Sequence, residues 1–153
     1  RLMKLGARLI IKTLQGIAAN NLQPKPQSLF LNPGETPKTA PKIFPENCII
    51  NWKEDVVKIH NLIRGLAPDP CARAFFLKKD KTIMFKIFDS CPYISENNMP
   101  PGSIVSDGKN YLRISCGKGF LNILTLQAEG KKKLGIQDFL RGFDLKETVL
   151  RIS

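Results

Sequence analysis

The sequence predicts a mainly β domain, a small open barrel of Greek-key or OB type with flanking helices, preceded by a helix and an extended linker. Three observations predict it. Short runs of alternating apolar and polar residues fill positions 74–127, divided by Gly, Asp, Asn and Pro turns, the spacing of an all-β domain. Apolar residues recur at helical steps over 1–19 and again over 52–66. Between these two stretches lie Pro24, Pro26, Pro33 and Pro37, which prevent helix and interrupt strand pairing.

In the first helix, Met3, Ala7, Ile10, Leu14 and Ile17 form the apolar stripe, while Arg1, Lys4, Arg8 and Lys12 share another face. A solvated charged face accounts for the cations. A membrane-surface helix is the sharper alternative, but no Trp or Phe is present to seat it in headgroups. Residues 20–40 form a linker stiffened by proline, with Asn20, Asn21, Asn32 and Gly34 as turn formers. The first helix therefore belongs to a different structural unit from the domain at 41–153.

The second helix has Asn51 as its expected N-cap, with Glu54 placed for a capping box. Trp52, Val56, Ile59, Ile63 and Leu66 then line one face, and Pro68 and Pro70 forbid continuation. Strands are expected at 74–77 and 82–89, joined by Lys78-Lys79-Asp80-Lys81, and at 103–106 and 111–116, joined across Asp107-Gly108. Gly117-Lys118-Gly119 turns the chain into a fifth strand, 120–127, and 136–143 forms a short closing helix. Phe75, Phe85, Phe120 and Phe139 fit core positions; Tyr93 and Tyr111 are the aromatics expected at the surface.

Composition bears on function. Lys and Arg number 24 against 13 Asp and Glu, a net charge of +11. That surplus must lie on the surface, where a polyanion, RNA foremost, is the natural partner and plain solubility the bland alternative. No apolar run approaches the roughly 18 residues of a membrane span. The start, RLMKLGARLIIKTLQGI, is broken by charges, unlike a signal peptide. Cys48, Cys71, Cys91 and Cys116 contain no CxxC pair, so free thiols in a reducing cytosol are expected. With one histidine, His60, no catalytic triad is visible, and none of the carboxylates forms an acid–base pair by spacing. The Gly117–Gly119 turn lies between strands, without the helix N-terminus that makes a glycine loop cradle phosphate. Catalysis by this chain alone is not expected, and no metal or cofactor site is predicted in it.

Binding is where the charges point. Lys38 and Lys42 lie in and after the linker; Lys78, Lys79 and Lys81 mark one turn, and Lys131, Lys132 and Lys133 another. Asp80 interrupts the Lys78–Lys81 group, which suits hairpin protection. Lys131–Lys133 are three adjacent like charges that repel unless something offsets them, so they suit a phosphate backbone.

Ordered motifs across 40–143 resemble one family. Ala40-Pro41-Lys42-Ile43 resembles the segment opening the C-terminal domain of methionyl-tRNA formyltransferases. Ile50-Asn51-Trp52 is similar to that family's "IDW", Ile63-Arg64-Gly65-Leu66-Ala67-Pro68-Asp69-Pro70 to "IRxxxPxP", and Pro101-Gly102-Ser103-Ile104 to "PGTI". Cys116–Lys133 resembles a "GDG" turn leading into "LQxxGKK", and Asp138-Phe139-Leu140-Arg141-Gly142 resembles "DFLxG". Cys71 stands where Gly or another small residue is frequent.

This resemblance implies a formyltransferase C-terminal-domain-like barrel. It implies a full enzyme that moves a formyl group from 10-formyltetrahydrofolate to methionine on initiator tRNA, in the cytoplasm and as a monomer. The folate pocket and the catalytic Asn–His–Asp set would belong to an N-terminal domain whose last helix is residues 1–19. This chain would be inactive alone and would hold initiator methionyl-tRNA by its phosphate backbone. The resemblance matches Lys42, Lys131 and Lys132 to lysines of the family's motifs; with Lys38 and Lys133 from the charge clusters, they are the residues expected to bind tRNA. Trp52 would plug the helix against the barrel, and Arg64 would meet a carboxylate or carbonyl. The corresponding domain of a sugar-nucleotide formyltransferase and a free-standing basic OB-like RNA-binding module are the alternatives.

Overall fold

The computed structural model describes residues 2–146 and 148–150; Arg1, placed above on the basic face of the first helix, lies outside them. The chain divides into two units, Arg1–Pro41 and Lys42–Ser153. In the first, α1 (Leu2–Ala18) buries none of its residues. Its stripe of Met3, Ile10, Leu14 and Ile17 is exposed from end to end. The helix stops where Asn20 takes φ +53 and the Asn21 N–H donates to the Gly16 carbonyl, the left-handed exit that Asn tolerates. The linker is not wholly extended as expected. Gln27–Phe30 closes a 3₁₀ turn after Pro26, whose carbonyl accepts from the Leu29 N–H at 3.1 Å.

The second unit is a nearly closed barrel of antiparallel strands. Its strands are β1 (Ala72–Lys78), β2 (Lys81–Tyr93), β3 (Ile104–Ser106), β4 (Leu112–Ser115), β5 (Phe120–Ala128), β6 (Lys133–Gly135) and β7 (Thr148–Leu150). They run in the order β3-β4-β5-β2-β1-β7, with β6 paired to β5. The five expected strands are thus joined by two more. At three residues each, β6 and β7 are too short to show a period of two, and only their partners β5 and β1 order them. The β1–β2 hairpin turns through Lys79 and Asp80, both at positive φ, between the closing pair Lys78 and Lys81, the two-residue loop whose twist matches that of the strands. Lys78 donates to the Asp144 carbonyl and lies 4.8 Å from the Phe143 ring centre, so it is occupied structurally. At the β3–β4 turn Asp107 accepts from the backbone N–H of Asn110 and Lys109, which holds its carboxyl well below the usual carboxylate range.

α2 (Val56–Leu66) lies against β2 and the barrel, burying Val56, Ile59, Ile63 and Leu66. Its cap is not Asn51. Asn51 instead accepts from the Lys53 N–H in a preceding turn, and Asp55 caps the helix by accepting from the Val57 N–H at 2.8 Å. Both residues are good local caps. The start is decided by Trp52, which is 0% exposed, and by the Val56 N–H, which donates to the Lys118 carbonyl. Together these hold 52–55 out of helical geometry. Asp55→Ala should therefore destabilise the unit by about 1 kcal/mol in urea unfolding. Asn51→Ala should cost clearly less, and the reverse order would return the cap to Asn51.

The core gathers Trp52, Phe76, Phe85, Ile87, Leu121 and Leu126 with the inner face of α2. Phe85 meets Phe139 of α3 (Ile136–Gly142) edge-on, with ring centres 5.6 Å apart. Two of the expected core aromatics differ. Phe76, not Phe75, points inward, and Phe75 and Phe120 are half-buried. Adjacent phenylalanines leave the phase of β1 undecided; pairing of Ala74 with Phe85 and Phe76 with Ile83 sets it. Cys71, which precedes β1, has φ +65, a conformation that favours glycine.

Candidate nucleic-acid interface

The barrel surface carries a row of polar side chains set by cross-strand register. Arg73 of β1 pairs with Lys86 of β2, Lys86 with Gln127 of β5, and Gln127 with Lys133 of β6. Directly opposed residues share a sheet face. Three cations and an amide therefore cross four strands in a line of roughly 14 Å, at about 4.8 Å per strand step. The ion pairs among the described residues, Lys58–Glu54 and Arg141–Asp138, include none of these cations. Arg73 Nε is buried and bonds nothing there. The buried Cys71 thiol registers the convergence: burial raises its pKa, while Lys86, Lys133 and Arg73 each pull it down and Asp69 pushes it up.

The expected binding lysines separate into three situations. Lys133 is a strand residue within the row, its Nζ 4.4 Å from the Phe88 ring centre. Lys131 and Lys132 are exposed in the turn beside it. That turn is shaped by Gly130 at φ +69 and by the Gln127 amide, which donates to the Lys131 carbonyl at 2.7 Å. Lys133 thus stands in a strand and Lys131 and Lys132 in the turn that leads into it. Lys42 is exposed and lies 5.5 Å from the Phe44 ring centre, and Lys38 is exposed in the first unit. Neither belongs to the row. Arg73 and Lys86 are the residues of the row that sequence reasoning did not single out. Their only local signal is an outward phase in strands whose pairing is not local.

Among the described residues, acid–base groups do not converge in this way. His60 Nδ1 lies 3.0 Å from the hydroxyl of the buried Ser90 and so ties α2 to β2. Arg64 donates from Nε to the Asn61 side-chain carbonyl at 2.8 Å. All four cysteines are free. Burial pushes the Cys116 thiol up to about 12, far from the thiolate a nucleophile needs. The Gly117–Gly119 turn does meet a helix N-terminus in space, that of α2. Its groups are spent there: the Gly117 N–H donates to the Glu54 carbonyl, and the Lys118 carbonyl accepts from Val56. A Cβ on Gly117 would stand 2.0 Å from the Lys53 carbonyl oxygen. This glycine therefore serves the helix–barrel junction.

The family model described as "Formyl transferase, C-terminal domain" matches residues 42–144. Among curated relatives, the chain is 41% identical over 148 residues to a methionyl-tRNA formyltransferase of Bacteroides fragilis, covering 96% of this chain and 45% of that protein. It is 44% identical over 139 residues to one of Rickettsia bellii, covering 91% and 41%. The chain thus spans less than half the length of the curated relatives it matches. Among solved structures, a HypX variant from Aquifex aeolicus shares the fold, with a TM-score of 0.57 at 18% identity over 90% of this chain and 23% of that one.

Proposed function

This chain belongs to the formyl transferase C-terminal domain family, and on that premise we propose that it is the tRNA-gripping part of a methionyl-tRNA formyltransferase. The observation that carries this is the register-built row of Arg73, Lys86 and Lys133, half-buried or paired with an aromatic ring yet in no ion pair among the described residues. Cations held outside any ion pair favour an external anion, and several along one line favour a phosphate chain. Lys131 and Lys132 extend the row, and Lys38 and Lys42 add charge along the linker. Contacts of this kind position a nucleic acid without reading bases.

The transfer itself, from 10-formyltetrahydrofolate to the methionine of initiator tRNA, would take place in the part of the relatives that this chain does not span. The single histidine, bonded to Ser90, does not fit an Asn–His–Asp set, so no step is assigned to this chain and it is expected to be inactive alone. Residues 1–19 would be the last helix of that catalytic part, which would explain the uncovered stripe of α1. The cytoplasm and a monomeric state follow from the same assignment, and among the described residues no helix is long and apolar enough to cross a membrane.

Fluorescence anisotropy of labelled initiator tRNA, titrated across salt with elongator tRNA as competitor, tests this. With about 3–5 phosphate contacts, log K should fall against log salt with a slope of roughly −2 to −4, and both tRNAs should compete equally. Absence of binding at low salt, or binding indifferent to salt, would overturn it.

A further inference from the structure

A second cluster lies on the outer face of β2, β4 and β5. Arg113 of β4 sits opposite Asn122 of β5, which in turn faces Cys91 of β2, and Tyr93 of β2 faces Phe120 of β5. The Arg113 guanidinium carbon is 4.8 Å from the Tyr93 ring centre and 4.9 Å from that of Tyr111. Its Nε donates to Asn122 Oδ1 at 2.8 Å. The fork is thus held by an amide at one end and by rings about its plane, the low-entropy arrangement that makes Arg a geometric rather than a diffuse cation. Its two Nη groups bond nothing among the described residues and are not buried, and no carboxylate pairs with it. Tyr93 is 46% exposed. Tyr111, expected at the surface, is half-buried because it completes this stack.

We propose that Tyr93, Tyr111, Arg113 and Asn122 form a seat for one unpaired nucleotide of RNA, with the base stacked on Tyr93 and a phosphate taken by the free Nη edge of Arg113. The proposal rests on the RNA-binding role assigned above and adds to it a contact that the basic row cannot make. A half-buried cation without a counter-charge selects an anion, and an exposed ring beside it selects a flat π surface. RNA offers both at every unpaired residue. Continuity supports the same occupant: Asn122 and Gln127 lie on β5, where the register shift between Ile123 and Thr125 brings both to the outer face although they are five residues apart, at most roughly 17 Å at about 3.4 Å per residue. A few nucleotides of single strand bridge that distance, so one strand can lie in the seat and on the basic row together. The seat is tolerant of base identity, since every base has a stacking face.

The test compares a labelled short oligouridylate with a ribose–phosphate oligomer of the same length that lacks bases, by anisotropy with this chain. The base-bearing oligomer should bind more tightly. Tyr93→Ala and Tyr93→Leu should each weaken it about five- to tenfold without changing the salt slope or the affinity for the abasic oligomer, and Tyr93→Phe should retain it. Arg113→Lys, which keeps the charge but loses the fork, should weaken both oligomers. The Leu variant decides the matter if the Ala variant does not fold. Equal affinity for the two oligomers, or a folded Tyr93→Leu chain that binds as the parent does, overturns the seat while leaving the backbone grip standing. Failure of the unaltered chain to bind any RNA overturns both, and a stack that then captures only carboxylate-rich peptides would identify a protein site.

Discussion

Replacing Lys131, Lys132 and Lys133 together with Ala is expected to weaken tRNA binding about ten- to a hundredfold at low salt. Each exposed charge pair contributes roughly 0.5–1 kcal/mol, so three together reach that range. The salt slope should become shallower by up to about one for each phosphate no longer neutralised. Initiator and elongator tRNA should suffer equally, because backbone contacts carry no sequence information. Position divides the effect within the trio. Lys131 and Lys132 stand free in the turn, whereas Lys133 is held beside Phe88 and in register with Lys86 through Gln127. Lys133→Ala should therefore be the most costly single change, and Lys86→Ala should approach it. Anisotropy titrations of the single and triple variants check this. A selective loss for one tRNA would show that the turn carries identity information, and an unchanged slope would remove these lysines from the interface.

Trp52→Ala is expected to destabilise the second unit by about 3–5 kcal/mol, the range for truncating a large buried aromatic. That is a large share of the roughly 5–15 kcal/mol available to an ordinary domain. Trp52 is 0% exposed and is the largest side chain in the core. It occupies the short passage between Ile50, whose N–H donates to the Arg73 carbonyl, and the start of α2. The ring therefore lies where the start of α2 meets β1, the strand that carries Arg73. Urea unfolding followed by circular dichroism measures the cost. A loss below about 1 kcal/mol would mean that the barrel repacks into the vacated space. The two variants separate cleanly: the lysine changes should move affinity and leave stability nearly untouched, and Trp52→Ala should do the opposite wherever the chain remains folded.

Local chemistry alone carries a good part of this molecule. The stripe from Val56 to Leu66 marks α2, Asp107-Gly108 marks the β3–β4 turn, and alternation around Phe85 and Ile87 marks the inner face of β2. Charge counting likewise picks out Lys131–Lys133, because a run of like charges is visible in the chain itself. What composition and periodicity could not supply depends on hydrogen bonds between residues distant in sequence. Asn51 and Asp55 are comparable caps until Trp52 enters the core and Val56 bonds Lys118. Phe75 and Phe76 are equivalent until β2 imposes register. Arg73, Lys86 and Lys133, scattered along the chain, become one line of charge only when β1, β2, β5 and β6 pair in that register. Arg113 reaches Tyr93 by the same means, whereas Tyr111 is its neighbour two residues back. Short-range sterics and burial periods write the elements into the sequence. The surface proposed to bind is assembled by strand pairing, which couples residues according to register and is indifferent to their separation along the chain.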